Sequence, residues 1–459
     1  MEMVPDNNED LDFGTMKISK LYRKIFFPTL IGMIAIIINT LVDGIFVGRG
    51  IGSDALAAVN IVAPLFMVVT GMSLMFGVGA SVVASIYLSK QKLKLANINI
   101  TQAFVVATLI MIIATIFLMV FNQPFMKLLG SSELLLPHTT RYLCYLAPSF
   151  VFLLIESIGL FVIRLDGSPK YAMLCSVVPA ICNMGLNYLF IFKFGWGIGG
   201  AALATSIGII TGGVMVLVYV LAYSKVIKLV TYRINIRSLM LTAKNIGYQI
   251  KLGSSAMIGE LAVSIMMATG NYVFMSQLGE DGVAAFSVAC YCYPIVFMLN
   301  TAVAMSAQPI ISYNHGQQNT HRVSSAFKLM VSTGIICGVL ASVLISVFAP
   351  EVVSLFLVSS VPAYAIAVKG LPYFSIGFVF FAINMTFIGY FQSTEKAQIA
   401  NWYSIWRGIL LPVGIFLILP LFLGVKGIWL AVPAADILML FVILALFRKS
   451  IPLSRCSGR

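Results

Sequence analysis

The second half of the chain repeats the first at a fixed offset of 227 residues, and this duplication constrains the fold more than any motif does. Gly52 and Asp54 recur as Gly279 and Asp281, Ala57 and Ala58 as Ala284 and Ala285, and Ser85 as Ser312. Gly200, Leu203 and Ala204 recur as Gly427, Leu430 and Ala431. The register slips, by one residue, only around Pro124 and Pro350. Each half holds six apolar segments long enough to cross a bilayer, for which about 20 residues suffice. They lie near 25–48, 56–88, 100–122, 142–164, 170–192 and 198–223, then 251–277, 284–314, 326–349, 364–392, 398–423 and 427–447. A doubled six-helix unit places its path between the halves, near the bilayer midplane.

Composition agrees with this reading. With 60% hydrophobic and 10% charged residues and a mean hydropathy of +1.00, the chain lacks the polar surface that a soluble domain needs. The continuity of the apolar segments excludes porin-like strands. The expected fold is an all-α integral membrane protein with twelve transmembrane helices in two pseudo-symmetric six-helix lobes around a central cleft.

The net charge of +13 suggests nucleic acid until the basic residues are placed on this topology. With the N-terminus inside, 23 of the 29 Lys and Arg fall at cytoplasmic ends and loops and six outside. That is the positive-inside bias, and it orients both termini to the cytoplasm of a cell inner membrane. No nucleic-acid partner is expected. The divisions are an acidic tail over 1–16, an N-lobe over 17–223, a basic cytoplasmic linker over 224–250, a C-lobe over 251–447 and a basic tail over 448–459. The linker carries Lys225, Lys228, Arg233, Arg237 and Lys244, which read as an anchor to anionic headgroups. The acidic stretch Glu2 to Asp12 reads as disordered.

Enzymatic and ATP-driven classes find no support. The seven cysteines include no CxxC, and the three histidines (His138, His315, His321) are not spaced as ligands. There is no phosphate loop and no cofactor is expected.

The informative chemistry is acidic. An ionised carboxylate at the bilayer centre costs at least about 2.5–3.5 kcal/mol, so Asp43, Glu156, Glu260 and Asp436 need a reason to persist. No Lys or Arg lies deep in the same segments as an obvious partner, which leaves protons, cations or neutral oxygens. Asp43 lies about five residues from the outer end of the first segment. Asn183 and Asn187, four apart on one helix face, and Thr205 reach a similar depth. Together they could form an oxygen shell for a hard cation, stabilise a titrating Asp43, or merely join helices. Pro28 precedes Asp43 by fifteen residues, about 22 Å of helix, and permits a bend there, static or mobile.

Pro28, Asp43 and Gly44, Asn183 with Asn187, the run GGAALAT from Gly199 to Thr205, and RLDGSP from Arg164 to Pro169 resemble the multidrug and toxic compound extrusion (MATE) family over almost the whole chain. The resemblance implies export of organic, often cationic compounds in exchange for H+ or Na+. It also implies that Asp43, Asn183, Asn187 and Thr205 form the N-lobe cation site and that Pro28 marks the bend. Asn187 stands where many members have Asp, leaving one acid instead of two and tilting the expected coupling ion from Na+ toward H+. Glu260 resembles the acid of another branch, whose further acid is replaced here by Asn384 at the nearest polar position. Glu260 is expected as a second proton site or part of the cleft, and Asn39, Glu156, Met257, Met266 and Met267 as cleft candidates. The expected protein is a monomeric antiporter working by alternating access. A flippase for lipid-linked oligosaccharides is the alternative; its pyrophosphate cargo calls for buried Arg or Lys in the cleft, where the sequence offers acids. A channel would not need two halves built around titratable groups.

Overall fold

The computed structural model describes residues 11–231 and 235–447, and among them there are helices and no strand. Residues 1–10, Arg233 and the basic tail over 448–459 lie outside the described residues. The first lobe contains α1 (Ile18–Gly50), α2 (Ser53–Ser89), α3 (Leu93–Val120), α4 (Leu136–Leu165), α5 (Pro169–Lys193) and α6 (Gly197–Tyr223). Next comes a run of 81 residues, Ile236–Gly316, made of two helices that meet without a loop. At 1.5 Å per residue it would run about 120 Å, four times the hydrocarbon thickness, if it were straight. It breaks at Gly279 (φ 63°, ψ −154°) into α7 (236–278) and α8 (280–316). The second lobe continues with α9 (Thr320–Val347), α10 (Pro362–Ser393), α11 (Ala397–Leu423) and α12 (Val425–Phe447).

The duplication is visible in the backbone. Positive φ occurs at Gly52 and Gly279, at Gln91 and Gln318 (58° and 59°), and at Gly197 and Gly424 (57° and 55°). Each pair is 227 residues apart. Left-handed geometry is cheap for glycine and costly for glutamine, so its return at Gln318 marks a turn preserved in shape.

Each lobe has its own apolar core, and each lends the start of its first helix to the other. Residues Leu21, Tyr22, Ile25 and Phe26 of α1 are buried with Val303, Phe327, Tyr390 and Tyr403 of the second lobe. Ile246 near the start of α7 is buried in the core of the first. Pro28, inside α1, therefore sits where that helix passes from one core to the other. Proline removes a backbone donor and bends a helix, so the crossing point is also the weak point.

The lobes meet tightly at the end that carries the linker. A Cβ on Gly79 would lie 2.1 Å from the Gln249 carbonyl oxygen, and one on Gly253 1.9 Å from that of Met75. Only glycine admits α2 and α7 this closely. Alongside, Gln102 of α3 donates to Thr242 at 2.8 Å and accepts from Asn245 at 3.0 Å, while Gln249 donates to the Asn99 carbonyl at 3.1 Å.

Two expected boundaries differ. The stretch through 224–250 is half helix, because Asn235 and Ser238 form a reciprocal capping box that starts α7 at Ile236. The tail over 1–16 is folded from Leu11 onward: Phe13 is buried and its carbonyl accepts from Asn314 and Arg322, both at 3.0 Å. Phe13 supplies the apolar anchor that the neighbouring acids lack.

Candidate functional site

Asp43 lies on α1, half-buried, facing two buried amides of α5. The Asn187 side-chain amide donates to Asp43 Oδ1 and to Asn183 Oδ1, both at 2.6 Å. Asn39, one turn before Asp43, donates to Asp43 Oδ2 at 3.4 Å. The Oδ1 atoms of Asn187 and Asn39 are buried without a partner, so the cluster holds acceptor capacity that the described protein atoms do not use. A Cβ on Gly208 of α6 would lie 2.9 Å from Asn183 Cβ, and this close approach seals the cluster from that side. Thr205, expected with the group, instead donates to its own helix at Ala201 O, 3.1 Å away. The structure thus joins Asp43, Asn183, Asn187 and Asn39 directly.

The Pro28 region is tied to the N-lobe. Arg164, buried at the end of α4, donates from Nε to Thr29 Oγ1 at 3.1 Å and from Nη1 to the Leu160 carbonyl at 3.0 Å. Two residues on, Asp166 accepts from the Tyr219 hydroxyl at 2.7 Å and from the backbone N–H groups of Lys225, Val226 and Ile227 at 2.7–2.8 Å. The RLDGSP stretch therefore braces α1 next to Pro28 with one residue and clasps the interlobe linker with another. Sequence reading missed this role of Asp166, whose sole visible signal was its place in the motif.

The other candidates scatter. Glu156 packs within the N-lobe, where a Cβ on Gly212 would sit 2.6 Å from its carboxylate. Glu260 and Met257 stand at the seam between lobes, within 3.4 Å of a Cβ placed on Gly71. Met267 packs against the C-lobe core, and Met266 lines a small cavity of about 10 Å³ beside Tyr293, Arg407 and Asp436.

Asp436 requires a correction. The sequence suggests an intramembrane acid without a basic partner, and the structure supplies one: Arg407 Nε donates to Asp436 Oδ1 at 2.8 Å, both side chains being buried. The partner lies on the adjacent helix α11, 29 residues earlier, so a search within one segment does not meet it. Asn384 donates to the same oxygen at 2.9 Å and accepts from the Tyr403 hydroxyl at 2.7 Å. Arg407 also donates to the Tyr293 hydroxyl at 2.9 Å and lies 4.3 Å from the Phe381 ring centroid. A π-helical turn over Trp406–Leu410 carries it, and such turns concentrate at functional positions.

Arg407 also borders a larger cavity between the lobes. This space of about 70 Å³ is walled by Leu74 and Val78 of α2 and Phe161 of α4 on one side, and by Thr301, Gln308 and Arg407 among others on the second. Its mostly apolar lining is of the kind that binds the apolar part of an organic molecule.

Three comparisons bear on this arrangement. The MatE family matches residues 28–189 and 256–416, one segment in each lobe. Among curated proteins, the chain is 24% identical over 442 residues to a FAD transporter of Shewanella oneidensis, with 92% of each chain covered. It is 23% identical over 437 residues to the multidrug export protein MepA of Staphylococcus saprophyticus, covering 92% of this chain and 91% of that one. Among solved structures, an outward-facing multidrug resistance MATE family transporter of the MOP superfamily aligns with a TM-score of 0.89 at 21% identity, over 97% of this chain and 98% of the other.

Proposed function

The chain belongs to the MatE family, and from that premise we propose that it is a monomeric secondary antiporter of the cell inner membrane that exports organic compounds, cations among them, in exchange for H+. The observation that carries this reading is the cluster that joins Asp43 and Asn39, on α1 beyond Pro28, to Asn183 and Asn187 of α5, α1 being a helix shared between two cores. Protonating Asp43 removes its charge and changes what Asn187 and Asn39 are bonded to. That change alters the shape of α1 beyond Pro28, and through the packing of α1 on both lobes the closure of the lobes around the cavity. Entry of a proton from outside expels the compound outward, and its release inside resets the carrier. A ligand shifts such an equilibrium only by its differential affinity for the two states, and a buried carboxylate that is charged in one state and neutral in the other supplies it. The excess of basic residues on one side supports cytoplasmic termini.

Na+ is the second reading for the ion, favoured by the unpartnered amide oxygens of Asn187 and Asn39. With the Asp43 carboxylate they supply the oxygen ligands that hard cations take. A flippase for lipid-linked oligosaccharides is set aside on the match of both lobes to the MatE family; the absence of a basic residue from the cleft no longer argues against it, since Arg407 borders the cavity.

The test is purified protein in liposomes, given a fluorescent organic cation outside and an imposed pH gradient or a Na+ gradient alone. Uptake driven by the pH gradient and lost in Asp43→Asn is expected. Transport that survives the substitution would overturn the scheme, and uptake driven by Na+ alone would replace the ion.

A further inference from the structure

The cavity between the lobes is apolar almost throughout, yet its C-lobe wall holds one guanidinium and one hydroxyl whose bonding is incomplete. Arginine has five N–H donors and is always charged. Arg407 gives its Nε donor to Asp436 and one Nη2 donor to the Tyr293 hydroxyl. At Nη1 its partner is the Met385 sulfur at 3.8 Å, a weak acceptor. Two N–H groups are left over on a side chain that is 5% exposed. One turn earlier on α11, Ser404 is 3% exposed and its Oγ has no hydrogen-bond partner among the described residues. Both residues line the same cavity.

A buried donor without an acceptor is costly, and more so when it is charged. Two of them on adjacent turns, facing one space, match a single acceptor group in that space. The local backbone is arranged for it. The π-helical turn over Trp406–Leu410 places Arg407, and Gly408 lets α11 close on α7, since a Cβ there would lie 2.5 Å from Ala262 Cβ. Asp436, held by Asn384, and the Phe381 face fix the guanidinium plane, leaving the Nη edge toward Met385 and the cavity.

We propose that Ser404 and Arg407 form a subsite for an anionic oxygen group on the transported compound, a carboxylate or a phosphate. The group takes the free Nη donors and the Ser404 hydroxyl and displaces the Met385 thioether, which repacks readily. The apolar remainder of the compound occupies the space between α2, α7 and α8. The cargo class thereby narrows to amphipathic compounds with an acidic end, whatever other charge they carry, and Asp43 is left to the coupling ion. This inference rests on the cavity being the cargo path.

Two matched probe pairs test it, each differing in the acidic group alone: rhodamine 110 against its methyl ester rhodamine 123, and flavin mononucleotide against riboflavin. Binding to the purified full-length protein is followed by fluorescence anisotropy. In at least one pair the acidic member should bind about tenfold tighter, the order of one charge-assisted hydrogen bond, and the pair that responds identifies carboxylate or phosphate. Ser404→Ala should reduce that preference without affecting the ester or riboflavin. Removing Arg407 alone strands a buried Asp436 and endangers folding, so the paired R407Q/D436N variant is used, and it should abolish the preference. Equal binding within both pairs, or a preference that survives in the paired variant, overturns the subsite and leaves the transport reading intact. If no probe binds, the cavity is not the cargo path and both readings fall.

Discussion

Ser81 and Gln308 stand 227 residues apart in sequence, the period of the internal repeat, and their side chains meet at 3.3–3.4 Å. Two positions equivalent by duplication touch each other only where the pseudo-two-fold axis passes between them. The axis therefore runs between α2 and α8, and Ser85 of α2 bonds to the Pro309 carbonyl beside it at 3.3 Å. A rocking motion of the lobes about this line displaces these residues least. Asp43 and Arg407, far from each other in sequence and in different lobes, lie off the axis where the motion has leverage.

Asn187 is the hub of the N-lobe cluster, since one amide serves both Asp43 and Asn183. Asn187→Ala should tighten the apparent affinity for the coupling proton about tenfold, because the lost hydrogen bond favoured the charged carboxylate. The outside pH that half-saturates transport should rise by about one unit, and release of the proton inside should slow. Transport measured against outside pH decides it, and an unchanged half-maximal pH would remove Asn187 from the site.

Pro28→Ala restores a helix hydrogen bond where α1 passes between the cores. An interior proline costs about 3 kcal/mol in a soluble helix and less where neighbouring helices re-satisfy the backbone. The variant should melt at a higher temperature and transport more slowly. Undiminished transport would mean that the bend is static.

Asp166→Ala strips the acceptor from the Tyr219 hydroxyl and three backbone N–H groups. The Tyr219 hydroxyl and the Ile227 N–H are buried; buried donors left unpaired cost about 1–3 kcal/mol each, and a loss of at least about 2 kcal/mol in stability is expected. Limited proteolysis should show early cleavage between 225 and 235. Asp166→Asn, which keeps one acceptor oxygen, should fall between the two. A melting temperature equal to the parent's would refute the clasp.

Glu395, between α10 and α11, accepts from the Tyr248 hydroxyl at 2.5 Å and lies 3.7 Å from His315 Nε2. His315 foremost, then Tyr248, hold its carboxyl below the usual glutamate range. A depressed acid stabilises the fold above its unfolded value, about 4.3 for glutamate, and that contribution is lost as pH falls through the folded value. Melting temperature should therefore drop on acidification below about pH 4.3, and Glu395→Gln should flatten that limb. Since Glu395 is partly exposed, the effect is small and weakens in salt. Parallel pH curves for the two proteins would count against the ion pair.

The fold was largely legible in the sequence because the bilayer simplifies it: length and hydropathy mark each helix, and the offset of 227 pairs the lobes. Asp43, Asn183 and Asn187 were legible through depth, since helix direction and residue count fix height in the membrane. Thr205 had the right height, but its hydroxyl satisfies itself on Ala201, a local choice that depth does not reveal. Arg407 escaped notice because its partner is on another helix, and contact across helices depends on rotation about their axes. The lone arginine inside the apolar run 398–423 was a signal in plain view. Phe13 was hidden by the acids around it.

The clasp at Asp166 also acts as a leash. The N-lobe grips the chain through Val230, whose N–H donates to Thr101 at 3.0 Å, and α7 begins at the Asn235 cap. The five steps of backbone between those anchors reach at most about 18 Å when fully drawn out. However far the lobes swing apart at that end, the start of α7 stays within this radius of α3. The stroke of the carrier thus has a mechanical stop written in covalent bonds, and lengthening the 231–234 segment would test how near to that stop the working cycle runs.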